Sequence, residues 1–380
     1  MRRKIKWFFT LIGIVLFCIA GSSFADDELG GRAMAVGLGI DINSSDEIIV
    51  VAQILTSAAS SETAAGTRVV EAADKVLSSA ISKVSETCGL TLTVSHCNVV
   101  LIGERLMKHE KFFNELMALF ENTYVSDNAY IFGCEGSPGD IFKSKSGFGN
   151  NASQYIQKLV AMYGTYDNIS CRMLREIISD NYDFGATTYL PFIKKLPIAP
   201  IVPNSSQCES VGEDSDYVYT MTDVSIFRDN EFIGTYDENA SRAINYIMNK
   251  VNKGGDEFET DKGVVGVYIL QSQIKKEFDL DKKKVSGSLK IGVVVKDYFF
   301  KENVKNYDGS FTYTLSEEET KECAKVIQQR ITDFYNDMKN KNADIFRFRQ
   351  NFYSKYGNKA KNIKLSDIDF DLKVELTLEK

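Results

Sequence analysis

The last part of the chain carries the pattern that most restricts its fold. Between residues 368 and 378 every second residue is apolar, and polar or charged residues occupy the positions between. Successive side chains of a β-strand point to opposite faces, so this pattern predicts a strand with one buried face and one solvent-exposed face. Such a strand needs a sheet that other elements cover on one side. The apolar positions are Ile368, Phe370, Leu372, Val374, Leu376 and Leu378.

A long amphipathic helix is predicted to provide such a cover. Ser316 is followed three residues later by Glu319, which is the capping-box pattern of a helix start. The apolar residues that follow recur at helical spacing, which places them on one face of the helix. They are Cys323, Val326, Ile327, Ile331, Phe334, Tyr335 and Met338.

Strands and helices alternate through the rest of the chain. Residues 33–42 and 46–55 are apolar runs around turn-forming residues and predict a β-hairpin. Residues 67–87 show helical spacing as far as Gly89, which suits the left-handed end of a helix. These patterns predict an α+β protein with mixed or antiparallel sheets, each covered by helices on one face. Further strands are predicted at 98–102, 128–134, 224–227, 231–235, 264–270 and 289–295, and further helices at 111–122, 152–163, 171–179 and 238–249.

The first 25 residues have the order of a secretory signal peptide. Basic residues precede an apolar run at 7–20, and Ser23 and Ala25 occupy the −3 and −1 positions of a signal-peptidase site. The run is shorter than the ~20 residues of a spanning helix, and an uncleaved anchor is the alternative. Both interpretations predict an extracytoplasmic protein. The basic residues are Arg2, Arg3, Lys4 and Lys6.

A change in composition near the middle of the chain predicts a domain boundary. Four of the five prolines lie just before a polar and acidic stretch at 204–216. This order is typical of a stiff connector followed by a flexible one. We therefore expect an N-terminal α/β region at 26–205, made of two subdomains, and a C-terminal α+β domain at 217–380. The chain would then have three small domains after its signal peptide.

Charge and residue counts exclude several classes of function. The formal charge is −7, and it becomes −11 without the four basic signal residues, which argues against nucleic acid or anionic lipid as a main partner. The chain has only two histidines, and its body has six cysteines at irregular spacing without a C-x-x-C pair. These cysteines can be free or paired in an exported protein. No catalytic residue, metal ligand set or cofactor site is predicted.

Two glycine-containing segments lack the patterns of nucleotide-binding sites. Gly37 and Gly39 lack the third glycine of a dinucleotide loop and the Gly-Lys-Ser/Thr of a phosphate-binding loop, which favours a closely packed strand. Residues 136–150 contain four glycines without the spacing of a loop that opens a helix. We interpret them as a surface loop.

A basic and aromatic segment near the C-terminus is the candidate for docking. The spacing of four between Phe348, Phe352 and Tyr356 predicts an amphipathic helix, whose apolar face packs in the core and whose outer face is basic. If any surface of this protein docks onto an anionic membrane or a partner protein, the sequence favours this helix. The residues concerned are Arg347, Phe348, Arg349, Phe352, Lys355 and Tyr356.

Five segments, taken in order, resemble a known family. They are residues 26–43, 99–104, 173–193, 224–249 and 344–348. The first contains AMAVGLGIDIN, the third contains NYDFGATTYLPFI, and the fourth contains VSIFRDNEFIGTY. In this order and spacing, the chain resembles the C subunit of the spore germinant receptors, the Ger(x)C family of endospore-forming bacteria.

The resemblance implies a non-enzymatic α/β body on the outer face of the inner spore membrane. The body would act beside membrane-spanning A and B subunits, so that the receptor responds to small nutrient germinants. Typical members carry a lipidated Cys directly before the first motif, where this chain has Phe24 and Ala25. Cys18 follows the bulky Phe17, which makes a poor lipobox, so lipidation at Cys18 is doubtful.

Two other classes of function are weighed against this one. A free secreted solute- or ligand-binding protein would show an apolar cleft with a few converging polar groups. An extracytoplasmic enzyme, such as a cell-wall hydrolase, would show two close carboxylates in different environments.

Overall fold

The structure is a computed structural model, and it describes residues 31–56, 66–122, 125–144, 151–182, 187–197, 217–300 and 315–379. Among these residues, no helix is long and apolar enough to cross a membrane. The predicted signal peptide, Cys18, Cys208 and the predicted connector at 204–216 lie outside the described residues.

The larger of the two sheets in the described part of the chain has nine strands. They are β1 (Arg32–Ile42), β2 (Ile48–Leu55), β3 (Thr67–Asp74), β4 (Thr91–Thr93), β5 (Val99–Gly103), β6 (Tyr130–Cys134), β7 (Thr187–Pro197), β8 (Tyr217–Arg228) and β9 (Glu231–Tyr236). Their order is β3-β2-β1-β5-β6-β7-β8-β9, and β4 pairs with β1. The central strands β1, β5, β6 and β7 run parallel, and the strands beyond them are antiparallel. The antiparallel pairing of β1 with β2 confirms the predicted hairpin.

Helices cover this sheet on both faces. They are α1 (Leu77–Cys88), α2 (Glu104–Met107), α3 (Phe112–Glu121), α4 (Pro138–Lys143), α5 (Ala152–Tyr163) and α6 (Leu174–Tyr182). α1, α2, α3 and α6 share a core with Val100 and Ile102, whereas α4 and α5 pack with Val99 and Leu101 on the opposite face. The prediction of helices on one face is therefore wrong for this sheet. Its central parallel strands need crossover helices, and these bury both faces.

Two predictions of local structure are also wrong. Residues 67–87 form β3 and then α1, although their apolar spacing predicted one helix. β3 pairs with β2 along its whole length, and its β-branched residues suit that pairing better than a helix. The surface loop predicted at 136–150 contains α4, whose first turn is capped by Ser137. Gly89 does end α1 in the left-handed conformation, as predicted.

The second sheet has four strands among the described residues. They are β10 (Gly254–Thr260), β11 (Gly263–Asp279), β12 (Lys284–Phe300) and β13 (Asp369–Leu378), in that order across the sheet. β11 and β12 form a long antiparallel hairpin, and β13 pairs with β12 in parallel. The helices that share its core are α7 (Glu238–Ile247), α8 (Glu317–Asn340) and α9 (Phe348–Tyr356).

The two strongest sequence patterns are confirmed in this second unit. In β13, Leu372, Val374 and Leu376 are buried, and the residues between them are exposed. The capping box at the start of α8 is present, since Ser316 Oγ accepts from Glu319 N and the Glu319 carboxylate bonds back to Ser316 N. The apolar stripe of α8 is buried except for Val326.

The large sheet continues across the predicted domain boundary. β7 precedes the connector and β8 follows it, yet the two strands pair with each other. Val224 and Ile226 of β8 belong to the core of the second unit, whereas Phe227 belongs to a core of the first. β8 thus lies between the two halves, and the division at 205–217 stays a prediction.

Candidate interaction surface

The aromatic residues of α9 lie in the core. Phe348 and Phe352 have no exposed area, and both rings contact Phe278 of the β11–β12 hairpin, at centroid distances of 6.2 and 5.1 Å. A side chain without exposed area cannot bind a membrane or a partner. We therefore exclude Phe348 and Phe352 from the predicted docking surface.

The two arginines of the docking prediction are held within the protein. Arg347 pairs with the buried carboxylate of Asp180 in α6. The same carboxylate accepts from Arg172 Nη2 and Thr188 Oγ1, each at 2.8 Å. Arg349 donates through Nε to the Ile363 carbonyl at 3.1 Å. The contact between Arg347 and Asp180 joins the start of α9 to the N-terminal half of the protein.

A buried carboxylate also organises the first turn of α9. Asp344 accepts from the backbone N–H groups of Phe348 and Arg349, at 2.8 and 2.7 Å. Burial raises the pKa of Asp344 to about 6, although these two hydrogen bonds favour the charged form. The charge at the start of this helix is therefore sensitive to mildly acidic pH.

The C-terminal end of α9 reaches the tip of the β11–β12 hairpin. Lys355 Nζ and Tyr356 Oη both donate to the Phe278 carbonyl, at 2.9 and 2.6 Å. A groove of about 940 Å³ opens beside this contact. Its charged lining is mixed and consists of Lys282, Lys284, Lys355, Lys359, Glu277, Asp279 and Asp281.

A lysine surface continues from α9 into the following turn. It consists of Lys355, Lys359, Lys361 and Lys364, all of which are exposed. No Asp or Glu occurs between Asp344 and Asp367. Within the described part of the chain, the Nζ groups of Lys359, Lys361 and Lys364 form no hydrogen bond or ion pair. The predicted docking residues end at Tyr356, although the lysines at 359, 361 and 364 were a usable signal in the sequence.

A second group of buried charges joins the two halves of the protein. Arg242 in α7 pairs with Asp167, which follows α5, and lies 3.4 Å from Asp256 in β10. Arg330 in α8 donates to both oxygens of Asp256, at 3.0 and 2.8 Å. Gly254 is required here, because an added Cβ would lie 2.2 Å from Asp167 Oδ1. The sequence carried no local signal for this group, since its members come from four separate segments.

Asp167 is an unusual member of this group. Burial raises its pKa to about 7, against the opposing effect of Arg242. The Asp167 Oδ1, Arg242 Nε and Tyr246 Oη atoms are buried and have no hydrogen-bond partner in the part of the chain that the structure describes. Arg242, Asp256 and Arg330 line a mixed-charge groove. The contacts of the group with both halves explain it as a link between them, not as a catalytic pair.

The cysteine and histidine side chains of the described residues do not form a metal site or a disulfide. Among the described residues, Cys88, Cys97, Cys134, Cys171 and Cys323 form no disulfide with one another. Among the described residues, no group of three His, Cys, Asp or Glu side chains could hold a metal ion. His96 is exposed while its neighbour Cys97 is buried and donates to Val99 O.

Comparisons with known proteins identify the family. A family model described as the spore germination protein N-terminal domain matches residues 27–195. A second model, described as spore germination B3/GerAC like, C-terminal, matches residues 222–380. The chain belongs to this germination protein family.

A solved structure supports the GerAC-like fold. The crystal structure of the GerBC protein aligns with a TM-score of 0.55 over 90% of this chain and 97% of that chain, at 12% sequence identity. At this identity the alignment shows a shared fold. Comparison with curated protein sequences gave no match. Membership in this family identifies the chain as the C subunit of a spore germinant receptor. The family is not known as an enzyme family.

Proposed function

We propose that this receptor subunit works outside the cytoplasmic membrane and acts through contacts with membrane-spanning A and B subunits. The supporting observation is the order of the two germination-family models, which together span nearly the whole chain. The signal-like first 25 residues support export. In this role the protein helps the receptor to respond to nutrient germinants by binding its partners, without catalysis.

The lysine surface supports a defined orientation at the membrane. An anionic leaflet attracts a lysine near its surface by about 1 kcal/mol. The protein as a whole has a formal charge of −7 and is repelled by the same leaflet. Because Lys355, Lys359, Lys361 and Lys364 lie in a segment without Asp or Glu, the side that carries them would turn toward the lipid. We take the anionic membrane surface as the docking partner of this region.

A charge-reversal experiment tests the docking. Lys359, Lys361 and Lys364 are changed together to Glu, and Lys75, Lys158 and Lys325, which are also exposed, are changed together in the control. Both variants undergo the same change of net charge. Sedimentation with vesicles of phosphatidylcholine and phosphatidylglycerol should show binding reduced about tenfold or more in the first variant only, and added salt should remove the difference. Equal losses in the two variants would show that net charge, not this surface, governs binding.

Recovery of the partners tests the receptor role directly. A tagged copy of the full chain, expressed in spores of its native host, should retain membrane-spanning proteins after solubilisation in mild detergent. Deletion of its gene should abolish the response to the nutrient germinant, and the tagged copy should restore it. A chain that begins at Asp26 in the soluble fraction and brings no membrane protein would instead favour a free secreted binding protein.

A further inference from the structure

Strand β13 forms an open edge of the small sheet. β12 lies on one side of it, and in the part of the chain that the structure describes no strand pairs with its other side. Asp369 N and Glu379 N donate to β12, at Lys283 O and Val293 O. Alternate residues of a strand point their backbone groups in opposite directions, so the amides of the even-numbered residues of β13 point to the open edge.

This edge lacks three features that often protect a sheet from pairing, namely short length, proline and a bulge. β13 has ten residues without Gly or Pro, and its register with β12 has no bulge. β10, at the opposite edge, has only seven residues and includes two glycines. A groove of about 620 Å³ runs between β13 and α8. Its apolar lining consists of Leu315, Ala324, Val374, Leu376 and Leu378.

The side chains of β13 are complementary to themselves in an antiparallel register centred on Val374. When two copies run antiparallel with Val374 opposite Val374, Lys373 of each copy lies opposite Glu375 of the other. Leu372 then lies opposite Leu376 on the apolar face. A slip of one strand by two residues in either direction would place Lys373 opposite Lys373, or Glu375 opposite Glu375, which is unfavourable.

We propose that β13 pairs with β13 of a second copy of this chain, antiparallel about Val374. The even-numbered amides that point to the open edge are those that this register uses for hydrogen bonds. The contact is isologous, with a two-fold axis at Val374. It joins two four-stranded sheets into one continuous sheet and places the two α8 helices side by side over the groove. The receptor would then contain C subunits in pairs. This inference goes beyond the proposed function, and it can be wrong while the proposed function is right.

Two single charge reversals test the register. Lys373→Glu and Glu375→Lys each place like charges opposite each other twice in a homodimer. In an equimolar mixture, the two variants face each other with opposite charges at both positions. Sedimentation velocity of the full chain, in one mild detergent, should show a concentration-dependent dimer for the wild type and monomers for each variant alone. The mixture should form a heterodimer.

The mixture also controls for effects within one chain. Glu375 pairs with Lys290 on its own sheet at 3.2 Å, and Glu375→Lys loses this pair both alone and in the mixture. A dimer that returns only in the mixture therefore reports contact between copies. A wild type that stays monomeric at every concentration would overturn the proposal. So would variants that dimerise alone as strongly as the wild type.

Discussion

Replacing Phe352 by Ala distinguishes a core role for α9 from a docking role. The ring has no exposed area, and it lies edge-on to Phe278 and 6.2 Å from the ring of Tyr356. It therefore holds α9 against the β11–β12 hairpin. Phe299 is a matched control, because its side chain in β12 is 74% exposed.

The expected cost of Phe352→Ala follows from complete burial. Truncation of a buried Phe loses its transfer free energy and leaves a cavity, at a cost of about 3–5 kcal/mol. Phe299→Ala should change the free energy of unfolding by less than about 0.5 kcal/mol. With a urea m-value of about 3 kcal/mol/M, the midpoint for Phe352→Ala should fall by about 1 M or more.

Urea unfolding followed by far-UV circular dichroism measures this difference. Tryptophan fluorescence is unsuitable, because the only tryptophan is Trp7, in the signal-like segment. At low urea, the folded Phe352→Ala protein should bind anionic vesicles as the wild type does. A midpoint equal to that of Phe299→Ala, together with weaker vesicle binding, would refute the core assignment and restore Phe352 to the docking surface.

Two further predictions concern the buried carboxylates. Gly254→Ala should lower the free energy of unfolding by about 1–3 kcal/mol, because the added Cβ clashes with Asp167. Gly255→Ala is the control and should cost much less, since its Cβ would lie 3.7 Å from Val267 O. Equal urea midpoints for the two variants would contradict the clash. Burial raises the pKa of Asp344 from its ordinary value near 3.8 to about 6. The folded state therefore binds the proton more tightly than the unfolded state does. As a result, the free energy of unfolding falls as pH rises from about 4 to about 6. Asp344→Asn should flatten that part of the stability curve in urea titrations, and an unchanged slope would show that another group titrates there.

Patterns that depend on a few neighbouring residues were predictable from the sequence. The alternation in 368–378, the capping box at Ser316 and the left-handed Gly89 each express a local geometric requirement. Each was therefore found in the structure where it was predicted. The family resemblance likewise rested on short segments in order, and the family models confirm it.

Tertiary structure decided the features that depend on what lies beside a segment. Residues 67–74 have helical spacing, yet they form β3 because β2 offers a strand to pair with. Arg347 looked like a docking residue, but the fold brings the buried carboxylate of Asp180 to it. The open edge of β13 and the exposure of Lys359 follow from which elements the fold leaves uncovered. The sequence of a segment determines its local conformational preference. Long-range packing determines which of its faces is buried against other parts of the protein and which is exposed to solvent.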